Sequence, residues 1–392
     1  MRVLLISDFF PPVAGGLEFH VDSLASALAE RGHQVAVATT TADPVPTSSA
    51  VTPYAIRPAT SRLIKPVEAH RPFPIPLPDP AARRQLSRVI AEFRPDVVHA
   101  HGWLAASLPR RHPPLVWTAH DYGLVCSRRT LLDQHDQICR GPAPGKCTRC
   151  ARYRYGTLRA ALLGAGTVVG RTIVRPDRVL AVSPAVAEAL RLRIDAPIAV
   201  VENFVADSPA PTPLPPWFPD GPVVLFAGDP SRHKGIDVLL ACWRDDPPPA
   251  TLVIAATRPV EATLPPRVVT GSLTQGEMVT AWERATVAVI PSLWADPCPT
   301  VALEALRAGV PTVASKVGGL PHLIRDGIDG ILVRPGDRIA LRTAINDLLS
   351  SVPRRESLGN NARERARDFT VTSIVPRIES TYDVAMADRR TT

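Results

Sequence analysis

Aromatic side chains make up only 5% of the 392 residues, and there are three Met. No basic stretch interleaves the few aromatics, which argues against a nucleic-acid surface, so no nucleic-acid partner is expected. No run reaches the ~18 uninterrupted apolar residues of a membrane-crossing helix. No secretory leader is expected either: the apolar start Met1-Arg2-Val3-Leu4-Leu5-Ile6-Ser7 is short and runs straight into patterned sequence. These absences make a cytoplasmic location the expectation. An excess of one charge sign is also nearly absent: 45 Lys and Arg stand against 37 Asp and Glu, a net +8 spread along the chain. The imbalance fits an anionic substrate or an anionic membrane surface, and equally a basic surface with no dedicated partner.

Apolar residues reach 45%, enough for the two or three cores expected of this length. Val3–Ile6 reads as a buried strand. Leu17, Val21, Leu24 and Leu28 then recur at helical spacing up to Gly32, and Val35–Thr39 is the next strand. Val97–His101, Leu115–His120, Val179–Ser183 and Ile198–Glu202 continue the rhythm. Alternation of this kind implies a parallel sheet with helices on both faces. It breaks at Pro209–Pro222, where seven of fourteen residues are Pro, a stretch read as an interdomain linker. It restarts with Val223–Ala227, Leu252–Ala255, Val287–Ile290, Thr312–Ser315 and Ile331–Val333. The expected architecture is two doubly wound α/β domains, 1–208 and 223–370, facing a central cleft. The segment 371–392 is expected to pack back on the first domain. Residues 44–80 read as an exposed loop and 121–175 as an insertion.

Polar groups gather where strands end, and in this architecture strand carboxyl ends face ligands. The first strand leads through Pro11-Pro12-Val13-Ala14-Gly15-Gly16-Leu17-Glu18 into its helix. Paired glycines there let backbone amides approach a ligand, or simply make a tight turn. A dinucleotide fingerprint is lacking, since Thr39-Thr40-Thr41 follows the second strand with no acid. Val116-Trp117-Thr118-Ala119-His120-Asp121 ends in an imidazole whose neighbouring carboxylate is expected to fix its orientation. Phe226-Ala227-Gly228-Asp229-Pro230-Ser231-Arg232-His233-Lys234-Gly235 sets a Lys just before a helix, a point charge suited to a diphosphate. Pro291 to Glu304 carries Asp296 in a loop and Glu304 in the first turns of a helix that begins near Thr300. The two carboxylates are expected to converge there, with exposed helix amides between them.

In this order and at these separations, the Gly15–Glu18 loop, Gly32-His33, Thr118–Asp121, Lys234-Gly235, Asp296 with Glu304, and Gly318-Gly319 resemble the retaining glycosyltransferases of family four, of GT-B fold. The resemblance covers nearly the whole chain. It implies transfer of a hexosyl-type sugar from a UDP- or GDP-sugar to a glycan, lipid-linked or small-molecule acceptor, with retention and without a catalytic metal or other cofactor. It implies that Lys234 binds the diphosphate, Glu304 the ribose hydroxyls, and Asp296 and His120 the donor sugar. Gly16 would admit phosphate and acceptor, and amides near Thr300 and Val301 would hold the departing diphosphate. Asp229 stands after Gly228 where the family usually has Arg, with Arg232 as the expected substitute. Pro299 replaces a loop Gly and removes an amide donor. His322 occupies a frequently acidic position. A nucleotide-sugar epimerase of the same fold is the nearest rival, although it is not expected to combine Lys234 with Asp296 and Glu304. A degenerate, non-catalytic partner subunit is also open, on the strength of Asp229 and Pro299.

Cys126, Cys139, Cys147 and Cys150 fall within the insertion, the last two as Cys-x2-Cys. In a cytoplasmic chain four such residues favour a structural zinc, with free thiols and disulfides as the alternatives. Arg152 to Arg175 mixes Arg with Leu158, Leu162, Leu163, Val168, Val169, Ile173 and Val174. This pattern suits ordinary core helices, or peripheral contact with an anionic membrane.

Overall fold

The computed structural model describes residues 1–391 apart from 14, 61–74, 136, 138, 140, 192, 206–208, 245–246 and 257. The chain forms two compact units, Met1–Glu202 with Val371–Thr392, and Asn203–Thr370.

The first unit is built on strands β1 (Arg2–Ser7), β2 (Gln34–Thr39), β3 (Val51–Ala55), β4 (Val97–Ala100), β5 (Leu115–Ala119), β6 (Arg178–Ala181) and β7 (Ile198–Val200). All are parallel, in the order β3-β2-β1-β4-β5-β6-β7. The apolar runs form strands because they are covered on both faces: Val3 to Ile6 and Val35 to Ala38 are almost fully buried. Helices Gly16–Glu30, Pro80–Phe93, Thr157–Ile173 and Pro184–Arg191 belong to this unit. β3 lies inside the stretch read as an exposed loop. Its Pro53 is tolerated because β3 is an edge strand with one ladder to satisfy. The portion 61–74 of that stretch lies outside the described residues.

The second unit has strands β8 (Val223–Gly228), β9 (Thr251–Ala256), β10 (Val268–Gly271), β11 (Val287–Ile290), β12 (Thr312–Ser315) and β13 (Gly330–Val333). They form a second parallel sheet, β10-β9-β8-β11-β12-β13. Successive residues of β8 feed opposite cores: Val224 and Phe226 pack into one apolar cluster, Val223 and Leu225 into the other. The sequence rhythm missed β10, a short edge strand whose last three residues are only half-buried. The Pro-rich stretch belongs to this unit. The Thr212 amide bonds Gly276, Thr280 donates to the Thr212 carbonyl at 2.7 Å, and Phe218 is buried. Proline blocks helix and central strand there without preventing the chain from packing.

The last helix, Val371–Thr391, returns to the first unit. Ile374, Val375, Ile378, Tyr382 and Ala385 recur at helical spacing and are buried. Glu379 meets Arg31 at 2.6 Å and His33 at 2.8 Å, and Arg377 meets Glu202 at 2.6 Å. Strand order reverses at β1/β4 and again at β8/β11, and these switch points are where open parallel sheets bind ligands.

Candidate active site

In the second unit, Lys234 follows β8 and Asp296 follows β11, so the two stand on either side of the switch point. Their side chains meet: Nζ of Lys234 lies 2.5 Å from Oδ2 of Asp296, a carboxylate that is 4% exposed. Ser292 donates to the same oxygen at 3.4 Å, and the ammonium sits 5.5 Å from the Trp294 ring centre. Two glycines make the approach possible. Gly235 has φ of +82°, and a Cβ on it would lie 1.8 Å from the Pro291 carbonyl oxygen. Gly318 has φ of +62°, and its Cβ would lie 2.4 Å from the carbonyl oxygen of Asp296, which accepts the Gly319 amide at 2.7 Å.

The helix Thr300–Ala308 starts after Pro299, which stands at the N-cap position without a side-chain cap. Thr300 and Val301 occupy the first turn, where backbone amides lack partners within the helix. Glu304 does not join Asp296. Its carboxylate accepts the indole N–H of Trp282 at 3.0 Å. Burial pushes its pKa above the ordinary value, against the pull of Trp282 and the Arg307 charge. The expected convergence of the two acids is therefore replaced by two separate pairs, Asp296 with Lys234 and Glu304 with Trp282. Asp229 is paired with Arg258, beyond β9. Arg232, expected to supply the missing charge, is 81% exposed at its side chain and 3.8 Å from Asp237. Ser231, Arg232, Asp237, Arg258, Val260 and Glu261 line a cavity of about 190 Å³. His322 falls in the short helix Leu320–Leu323.

In the first unit, Asp8 follows β1 and is 4% exposed. It accepts the amides of Trp103 at 3.1 Å and Leu104 at 2.7 Å, and burial raises its pKa. His101 and His120, past the ends of β4 and β5, share a hydrogen bond of 2.9 Å. His20, on the first helix, stacks edge-on against His120 with ring centres 5.0 Å apart. His99 is held by Thr118 at 2.6 Å and by the Tyr382 hydroxyl at 2.7 Å. Burial holds all three other imidazoles in their neutral form: the pKa of His99 falls to about 3, and those of His20 and His101 lie well below the usual value. Asp121, expected to orient His120, instead pairs with Arg129 at 2.7 Å and accepts the Gly123 amide at 2.6 Å. The chain turns at Asp121, and the nearest donors to its carboxylate come from its own loop. Gly16 opens the first helix, and the neighbouring Ala14 lies outside the described residues.

Sequence reasoning passed over Asp8, Trp282, Arg258 and Tyr382. An acid directly after β1 was a readable signal for Asp8. The other three are pairings across the fold, with no local mark.

The insertion holds four of the six cysteines, and none of the six is in a disulfide. Among the described residues no three His, Cys, Asp or Glu side chains are already grouped as ligands of one ion. No described helix is long and apolar enough to cross a membrane.

The pattern of Glycosyltransferase Family 4 matches residues 14–208, and that of Glycosyl transferases group 1 matches 215–365. D-inositol 3-phosphate glycosyltransferase 1 of Catenulispora acidiphila is 29% identical across 99% of this chain and 97% of its own length. Among solved structures, sucrose-phosphate synthase from Thermosynechococcus elongatus superposes with a TM-score of 0.75 at 21% identity, over 99% of this chain and 100% of that one. Anabaena HepE in complex with UDP-glucose gives 0.66 at 17% identity, over 98% and 100%. Two parallel α/β units of this kind are the GT-B fold of nucleotide-sugar-dependent glycosyltransferases. The chain belongs to glycosyltransferase family 4.

Proposed function

We propose that the chain transfers a hexosyl unit from a UDP- or GDP-sugar to a glycan, lipid-linked or small-molecule acceptor, with retention at the anomeric carbon. The Lys234–Asp296 pair across the β8/β11 switch point carries this reading. A diphosphate arriving beside the helix that begins at Thr300 draws the ammonium away from its carboxylate. Asp296 is then free to accept hydroxyls of the donor sugar. Thr300 and Val301 amides, the Gly228 turn and Arg232 complete the anion site, and Glu304 takes the ribose hydroxyls. In the first unit, His120 serves the donor sugar and Gly16 the phosphate and acceptor.

In the transfer, the bond from the anomeric carbon to the diphosphate breaks and the bond to the acceptor oxygen forms on the same face. The acceptor proton leaves on a phosphate oxygen. Negative charge grows on the departing diphosphate, so fixed donors aimed there lower the barrier most. No metal or other cofactor is assigned a step. The bound ligand named for HepE, UDP-glucose, favours a uridine donor, and the name of the Catenulispora relative favours a phosphorylated polyol among small acceptors.

The test is a thermal-shift screen of the folded protein against UDP-, GDP-, ADP- and TDP-sugars. A rise with one UDP- or GDP-sugar is expected, and no rise with any of the four sinks the reading. Proton NMR of the product reports the anomeric outcome, and inversion refutes retention.

Peripheral membrane contact is a second reading. It is favoured by Tyr153 and Leu158, 99% and 70% exposed beside the exposed Arg152 and Arg154. Failure to sediment with anionic phospholipid vesicles at low salt removes it.

A further inference from the structure

We infer that Cys126, Cys139, Cys147 and Cys150 form a tetrathiolate site for one structural zinc ion, which fixes the loop that follows His120. All four are hung on one short stretch, residues 126–132. Ser127, next to Cys126, donates to the Cys147 carbonyl at 3.4 Å. The Cys139 amide donates to the Leu131 carbonyl at 2.8 Å, and the Cys150 thiol faces the Leu132 carbonyl at 3.7 Å. Cys147 and Cys150 stand on the helix Pro144–Tyr155 at a spacing that puts them on one face.

Backbone amides and cations face the sulfurs. The Gly141 amide donates to Cys139 Sγ at 3.4 Å and the Ala143 amide to Cys147 Sγ at 3.3 Å. Backbone amides aimed at sulfur stabilise the anionic form that ligates a metal. Arg128 Nη1 lies 3.9 Å from Cys150 Sγ. Lys146, five positions further on, donates to the Gly141 carbonyl at 3.0 Å and brings a second cation to the cluster. Zn²⁺ taking four thiols would release four protons to solvent and leave a net charge of −2, which these two cations offset.

Packing gives a reason for such a staple. In the helix Pro144–Tyr155 the described side chains that are buried are Cys147 and Ala151. A helix without large apolar side chains inside gains little from burial, and a metal then supplies what the core does not. The thiols are not yet grouped as ligands, so the ion would draw the sulfurs inward to Zn–S bonds of about 2.3 Å. The same loop carries Arg129, whose salt bridge holds Asp121 beside His120. The metal's role is thus to position that loop.

Elemental analysis of the full-length protein, purified without chelator, is expected to find about one zinc per chain. The four thiols should resist a thiol reagent until a chelator is added. Cys147→Ser and Cys150→Ser should each strip most of the metal, and Cys242→Ser should keep it. Should the cluster variants fail to fold, the wild-type chain reconstituted with cobalt must show the intense visible bands of tetrahedral cobalt thiolate. Folded protein that lacks metal and exposes all four thiols overturns the inference, as does a cobalt form without those bands.

Discussion

Lys234 and Asp296 are 62 residues apart in sequence and 2.5 Å apart in space, bridging the point where the second sheet reverses its strand order. Lys234→Ala should remove donor binding and lower turnover by roughly 10²–10³, the cost of a lost anion-stabilising group. It also leaves a buried carboxylate unpaired, at up to about 3 kcal/mol. The double variant Lys234→Ala with Asp296→Asn should recover most of that stability and none of the activity. Urea unfolding and steady-state kinetics on the same proteins separate the two effects.

Glu304 titrates in the direction set by burial. A carboxyl whose pKa is raised on folding keeps its proton to higher pH than in the unfolded chain. The folded state then binds more protons just above the ordinary carboxylate range, so its stability falls as pH rises through that window. Glu304→Gln should be more stable than wild type at neutral pH and should bind donor more weakly. Equal donor affinity in calorimetry would remove Glu304 from the site.

The histidine cluster has the opposite slope. His99, lowered to about 3, and His20 and His101, also lowered, stay neutral in the folded chain and take up protons when it unfolds. Stability should therefore fall as pH drops below about 6.5, by about 1.4 kcal/mol per pH unit for each proton taken up. Urea midpoints at pH 7 and pH 5 measure it.

Tyr382→Phe removes the hydroxyl that His99 holds at 2.7 Å inside the first unit. A buried ring nitrogen without its partner costs about 1–3 kcal/mol. The loss should appear in unfolding of the first unit, with donor affinity unchanged.

Gly235→Ala places a methyl group against the Pro291 carbonyl at a positive φ. A cost of about 1–3 kcal/mol from backbone strain is expected, with weaker donor binding as Lys234 shifts. Wild-type melting and affinity would show that the turn tolerates a side chain.

Central strands were legible because burial on both faces writes a continuous apolar run, as in Val3–Ile6 and Val287–Ile290. Two of the four edge strands were not: β3 contains Pro53 and β10 is half-exposed, so neither carries that mark. The site divides in the same way. Lys234, Asp296, Glu304 and His120 follow strands and are visible as polar punctuation. What each of them touches depends on residues brought in by other elements, such as Trp282 for Glu304 and His101 for His120. Asp229 and Arg258 show the limit, since a pair formed between the ends of neighbouring strands has no signature in either segment.

The final helix has a bearing on synthesis. Residues 371–391 complete the first unit, yet the ribosome makes them after the whole of 203–370. The second unit can finish folding while His99 still waits for Tyr382 and His33 for Glu379. A nascent chain should thus hold the later-made body closed and the earlier-made one open, reversing the usual order in which domains mature.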